Sequence, residues 1–163
     1  MTTMDTNTNT NPDTPAADTT PPPQVWPTLS ARDARGLIRF LVEAFGFEET
    51  AVYGEGEQVA HAELAWPAGG GIMLGSAGRA PAEAESAGTG DATSDAWPRR
   101  PGSFSAYAVT DDPDALYQRA KAAGARITRE LNDTDYGSRE FIAADPEGNH
   151  WSFGTYRGAP RRS

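Results

Sequence analysis

The chain contains no cysteine. That excludes disulfides, thiolate metal sites and a cysteine nucleophile. Basic residues are scarce too: 14 Lys and Arg stand against 23 Asp and Glu, a formal net charge of −9. An acidic balance without a Lys/Arg stripe argues against a binder of phosphate backbones, so nucleic acid is not an expected partner. The charge mildly favours cationic ligands, although net charge also serves solubility alone. No run is long and apolar enough to span a bilayer. The N-terminal stretch has neither the basic start nor the apolar run of a signal peptide. The expectation is a cytoplasmic protein with no membrane partner. A phosphate-binding loop is also missing. "GEGEQ" and "PAGGGI" are glycine-rich, but they lack the strand-to-helix setting and the lysine that phosphate cradling requires, and they read as hairpin turns. With two histidines and many serines, no nucleophile–base–orienter set stands out from coincidence.

Hydrophobic residues make up 37% of the chain, and the shortage is uneven. Residues 1–24, rich in Thr, Asn, Asp and Pro, cannot bury enough surface to offset their ordering entropy and read as a disordered tail. Residues 76–101, rich in Ala, Gly, Ser and Pro with no apolar period, read as a linker, and residues 157–163 as a flexible C-terminus. Between them lies one folded domain over 25–156, built of two halves, 25–75 and 102–156.

The halves resemble each other at an offset of 78. "DARGLIRFLVEAFGFEE" and "DPDALYQRAKAAGARIT" are both helix patterns, the first with an apolar stripe of Leu37, Phe40, Leu41, Ala44 and Phe45, the second with Ala115, Leu116, Ala120 and Ala123. Asp33 and either Asp111 or Asp112 suit the N-caps, and Gly46 and Gly124 suit left-handed C-terminal caps. Strand patterns surround each helix: "VWPTLS", then "FEETAVY", "QVAHAELAW" and "GGIMLG"; "SFSAYAV", then "ARITRE", "SREFIAA" and "NHWSFGTY". Each half therefore reads β-α-β-β-β, an α+β fold of two βαβββ modules. A helix covers only one face of each sheet. Two such modules placed side by side form a half-barrel whose helix-distal face encloses a cleft, and function belongs on that face.

Alternation within the strands nominates the cleft residues. His61 and Glu63 share a face with Val59 and Ala65, while Ala60, Ala62, Leu64 and Trp66 turn to the helix. His150 and Ser152 oppose Trp151 and Phe153, which read as core. Ser103, Ser105 and Tyr107 share one side of the second module's first strand, and Trp26 and Thr28 one side of the first module's. An aromatic and hydroxyl lining suits a flat or amphiphilic small molecule. Glu63 is a candidate to hold a cationic or hydroxyl group. Arg139 either pairs an anionic ligand or spends itself on Glu140, Asp135 or another surface carboxylate. His61, Glu63 and His150 together make a conceivable zinc or nickel site.

"FLVEAFGFEE", "VAHAELAW", "IMLGSA", "YGSREF" and "DPEGNHWSFGTY" resemble the vicinal oxygen chelate superfamily, which includes glyoxalase I, extradiol dioxygenases, and fosfomycin- and bleomycin-resistance proteins. The resemblance covers residues 25–156. It implies the half-barrel fold and, in many members, a homodimer that completes the cleft across a two-fold axis. It also implies four metal-ligand positions, which fall on Trp26, Glu63, Ser105 and Ser152. Trp cannot ligate a metal and Ser does so weakly, so one strong donor remains. The expectation is a metal-independent small-molecule-binding protein without a cofactor, of the kind that sequesters an antibiotic-like or cationic metabolite. The alternatives are a glyoxalase-like lyase or isomerase that uses a divalent ion such as zinc or nickel, and a regulatory module with no small ligand.

Overall fold

The computed structural model describes residues 24–77 and 100–159. The expected tail, except for Gln24, most of the expected linker, and residues 160–163 lie outside the described residues. The first module comprises β1 (Thr28–Ala31), α1 (Ala34–Phe40) continuing into a π-helical turn (Leu41–Phe45), β2 (Glu48–Tyr53), β3 (His61–Ala65) and β4 (Gly71–Ser76). The second comprises β5 (Ser105–Val109), α2 (Pro113–Ala122), β6 (Arg126–Asp133), β7 (Arg139–Ala144) and β8 (His150–Gly154). The sheets follow the same plan, β1-β4-β3-β2 and β5-β8-β7-β6, with the first and last strand of each module parallel and the other pairs antiparallel. The order of elements is the expected one, with β6 running three residues beyond "ARITRE". Among the described residues, no helix is long and apolar enough to cross a membrane.

Local chemistry fixes the helix ends. The Asp33 carboxylate accepts from Gly36 N at 2.8 Å and the Asp112 carboxylate from Ala115 N at 2.9 Å, each satisfying one orphan donor of a first turn. Asp112 rather than Asp111 is the cap because Pro113, with no N–H to lose, occupies the first helical position. Gly46 and Gly124 end the two helices at φ 83° and 82°.

The repeat is less uniform than the sequence suggests. The N-caps Asp33 and Asp112 stand 79 apart, but the capping glycines 46 and 124 stand 78 apart. The additional residue in the first helix is taken up by the π-helical turn, which is one inserted residue in an α-helix. The compensating residue lies in β6. Ala51 faces Glu63 as Arg129 faces Ile142, an offset of 78 on the outer strand, whereas Tyr53 faces His61 as Asn132 faces Glu140, an offset of 79. The register shift between Arg129 and Asn132 supplies the difference, as a β-bulge does.

The helix-facing sides of both modules share one core. Leu37, Leu41, Ala44 and Phe45 are buried as the stripe predicts, and Phe40 is half-buried. In α2 the stripe differs: Ala115 and Ala123 are exposed, and Tyr117 joins Leu116 and Ala120 in the core. A tyrosine can do so because its hydroxyl reaches Glu130 while its ring packs edge-on against Phe141 at 5.3 Å. Phe45, from the first module, lies 4.8 Å from Phe153 and 5.9 Å from Trp151 of the second. Phe47 touches Trp66 at 4.9 Å and Trp151 at 5.4 Å. Each such ring, fully buried, contributes about 1.5–3 kcal/mol. The modules are therefore joined through their helix sides, and Arg119 of α2 adds hydrogen bonds to the Val42 and Glu43 carbonyls of the π-helical turn.

The "DPEGNHW" stretch is a hydrogen-bonded knot. The buried Asp145 carboxylate accepts from Glu147 N, Asn149 N, Asn149 Nδ2 and Trp151 Nε1 at 2.8–3.0 Å. Gly148 turns the chain at φ 96°, and Asn149 Oδ1 accepts from Phe104 N at 3.0 Å. These bonds set β8 against β5 and so place Ser105 opposite His150 and Tyr107 opposite Ser152.

Candidate functional site

Because the helix sides are consumed by the shared core, each sheet presents its other face outward. On the first module that face carries a row Thr28–Met73–Glu63–Ala51, with His61 and Tyr53 in the neighbouring row. His61 Nε2 and Glu63 Oε1 are 2.9 Å apart, each side chain about one-third exposed, and the Tyr53 ring stacks on His61 at 6.2 Å. Trp26 lies over Gly71: a Cβ there would stand 2.6 Å from its ring. Val59, expected beside His61, is instead in the core, because β3 begins only at His61 and the alternation does not extend upstream.

On the second module the outward face carries Ser105 and His150 as register partners, then Tyr107, Ser152 and Ile142 in one row, then Gly154 and Glu140 in the next. His150, Ser105 and Tyr107 are exposed and Ser152 is half-buried. By register the first-module counterpart of Ser152 is Met73, and that of Glu63 is Ile142. The first strands of the two modules come together: Trp26, Pro27 and Thr28 face Ser103, Phe104 and Ser105 across a hollow of about 380 Å³. A second hollow of about 290 Å³ lies between the β3–β4 hairpin and β5, walled by Phe47, Trp66, Tyr107 and Trp151 with Arg157 beside them. Its rim is held by Trp66 Nε1, which donates to Val109 O at 2.7 Å.

Arg139 sits on neither outward face. It turns to the α2 side, where it donates to both carboxylate oxygens of Asp114 at 2.7 and 2.9 Å and to Asp133 at 3.1 Å. The hydrogen bonds it donates to Asp114 and Asp133 hold its guanidinium firmly charged, and the same bond from Arg139 pulls the Asp114 carboxyl below its ordinary range. The surface-pair alternative describes its place, with Asp114 as the main partner.

A metal centre of the implied kind needs several strong donors in one place. The positions matched to the implied ligands hold Trp26, Ser105 and Ser152 beside Glu63, and among the described residues no three His, Asp or Glu side chains come close enough to hold an ion. The donor set does not fit such a group.

The Glyoxalase/Bleomycin resistance protein/Dioxygenase superfamily is matched by residues 24–153, which span both modules. The chain belongs to this superfamily. Among solved structures, TioX from Micromonospora sp. ML1 is similar at 26% identity and a TM-score of 0.58, covering 78% of this chain and 94% of that one. A glyoxalase/bleomycin resistance protein from Streptomyces sp. CB03234 shares the fold at 22% identity and a TM-score of 0.56, over 78% of this chain and 96% of that one. The uncharacterized protein Mb0911c of Mycobacterium bovis (strain ATCC BAA-935 / AF2122/97) is 44% identical over 48 residues, 29% of this chain and 32% of the relative. This chain thus spans about a third of that relative's length. Membership accounts for the paired βαβββ modules; the chemistry of this superfamily member has to be read from its own outward faces.

The outward face of the second module also holds a feature the sequence reading passed over. Glu140, considered there only as a partner for Arg139, is 5% exposed. It pairs with Arg129 at 3.6 Å and accepts from Tyr136 OH at 2.9 Å. The hydrogen bond to Glu140, and then burial, raise the Tyr136 hydroxyl above its ordinary pKa, which keeps it a donor. Alternation puts Glu140 on the face opposite Arg139, and that was the available signal.

Proposed function

We propose that this superfamily member is a metal-independent small-molecule-binding protein whose outward sheet faces form the ligand cleft. The observation that carries the reading is the composition of those faces. Exposed aromatic rings (Tyr53, Tyr107), hydroxyls (Ser105, Ser152) and one His61–Glu63 pair stand where a metal site would need convergent donors. Such a lining supports stacking and a few polar contacts to an amphiphilic or cationic molecule, with sequestration as the mechanism. In this reading the protein is cytoplasmic and acts as a homodimer. Two copies pairing their open faces would cover the exposed tyrosines and close the cleft that one chain leaves open.

The metal-dependent lyase alternative draws on one observation: His61 and Glu63 already stand side by side as two donors. The two readings separate in one experiment. The purified protein, treated with chelator, is titrated with a panel of aromatic amines and alcohols, and binding is followed by amide chemical shifts. Saturable shifts along β3, β5 and β8 that weaken in Glu63→Gln, with folding intact, support the proposal. Shifts that arise only after zinc or nickel is added overturn it in favour of the lyase.

A further inference from the structure

Two oxygens on the outward face of the second module have no hydrogen-bond partner among the described residues: Glu140 Oε2 and Asn132 Oδ1, both fully buried. They belong together. Asn132 on β6 and Glu140 on β7 are directly paired residues of an antiparallel ladder, so their side chains rise from the same face as neighbours. Both are acceptors, and a buried acceptor left unmatched is costly, more so on a carboxylate. Glu140 Oε1 is engaged by Tyr136 and Arg129, and neither reaches Oε2.

The surroundings are aromatic and hydroxyl-rich, with the Arg129 guanidinium on Oε1 and Oε2 left to a further donor. Tyr136 is held above Glu140 by a closed turn, in which Thr134 N donates to Ser138 O at 2.7 Å, Ser138 N donates to Thr134 Oγ1 at 2.9 Å, and Gly137 takes φ 81°. The Tyr156 ring meets Tyr136 edge-on at 5.9 Å, and Tyr156 N donates to Tyr107 OH at 3.0 Å. Gly154 leaves the space in which these groups converge. A Cβ there would stand 2.5 Å from Tyr107 OH, 2.8 Å from Glu140 Cβ and 3.0 Å from Ser138 Oγ. Tyr136 thus bonds to the carboxylate, Tyr156 and Tyr107 follow it in a chain of contacts, and one carboxylate oxygen stays spare. Tyrosine faces attract ammonium groups, and two orphan acceptors call for N–H donors.

We propose that Glu140 and Asn132, walled by Tyr107, Tyr136 and Tyr156, form a subsite for the primary ammonium group of a small organic ligand. The proposal rests on the reading of the outward faces as ligand-binding surfaces and names what one of them recognises. A primary ammonium fits better than a quaternary one, because a quaternary nitrogen satisfies the rings but has no N–H for the two oxygens. Tyr136, more than half exposed at the tip of its turn, is the side chain that moves aside for entry.

The test uses the full chain and three probes: phenethylammonium, its N,N,N-trimethyl derivative and neutral 2-phenylethanol. Amide and Asn side-chain shifts are followed at constant ionic strength. The expected result is saturable binding of phenethylammonium that shifts Asn132, Ser138 and Gly154. The trimethyl derivative and the alcohol bind several-fold more weakly, and Glu140→Gln weakens the amine by about tenfold or more. Asn132→Ala, which removes the second acceptor, weakens it by about threefold, and this holds the test open if Glu140→Gln fails to fold. Equal affinity of the amine for wild type and the folded variants overturns the subsite. Shifts confined to β3 and β4 also overturn it, while leaving the broader binding reading standing. No binding of any probe to either face overturns both.

Discussion

Replacing Asp145 by alanine should unfold the second module's site from below. The carboxylate accepts four hydrogen bonds, from two backbone N–H groups, Asn149 Nδ2 and Trp151 Nε1. Asn149 and Trp151 are each 1% exposed, so their donors cannot turn to water. The Glu147 N–H lies nearer the surface and can. Three buried donors stranded at about 1–3 kcal/mol each, less some relaxation, give a loss of about 3–5 kcal/mol. Against a typical domain stability of about 5–15 kcal/mol, that leaves a marginal fold. With a urea slope of about 1–3 kcal/mol per molar, the unfolding midpoint should fall by about 2 M at unchanged slope. Asp145→Asn, which keeps one acceptor oxygen but presents N–H groups to the other donors, should fall about halfway between. The assay is equilibrium urea denaturation followed by tryptophan fluorescence and circular dichroism together. A midpoint shift below about 0.5 M in Asp145→Ala would mean that water replaces the carboxylate at no cost and that the knot does not set β8 against β5.

Two further outcomes follow from side chains seen above. Gly154→Ala adds a Cβ 2.5 Å from Tyr107 OH and 2.8 Å from Glu140 Cβ, so it should displace both side chains and weaken amine binding, while lowering stability by about 1–3 kcal/mol as overpacking does; chemical-shift mapping and thermal denaturation check the two parts. Asp114 is depressed by its bond to Arg139, so that pair stabilises the fold above the ordinary carboxylate pKa near 4 and the contribution is lost as pH falls through the lower folded value; Arg139→Ala should return the Asp114 titration, read by carboxyl carbon NMR, to its ordinary position.

Much of the architecture was legible because it is written in short-range chemistry. The Asp caps, the glycines at helix ends and the Pro-Glu-Gly-Asn turn specify element order locally, and strict alternation in "HAELA" and "HWSFG" names the two faces correctly. The misreadings share a different cause. A π-helical turn and a β-bulge each insert one residue without disturbing composition, so the single offset of 78 concealed two compensating insertions. Val59 enters the core because the strand starts later than its apolar pattern, and Tyr117 is buried because Glu130 and Phe141, distant in sequence, receive its two ends. Of the outward-face residues, His61, Glu63, Ser105, Tyr107, Ser152 and His150 are named by alternation. Glu140 was not, since its burial depends on Tyr136 and Arg129 folding over it, a tertiary event that a neighbouring arginine in the sequence disguised.

The central claim, that the outward faces bind a small organic molecule without a metal, meets its most direct test in chemical-shift mapping of the chelator-treated full chain with aromatic amines. The account predicts saturable perturbation of Tyr53, His61 and Glu63 on one module or Tyr107, Ser152 and Glu140 on the other, unchanged when zinc or nickel is supplied. Perturbation that appears only with the metal, centred on His61 and Glu63, would contradict it.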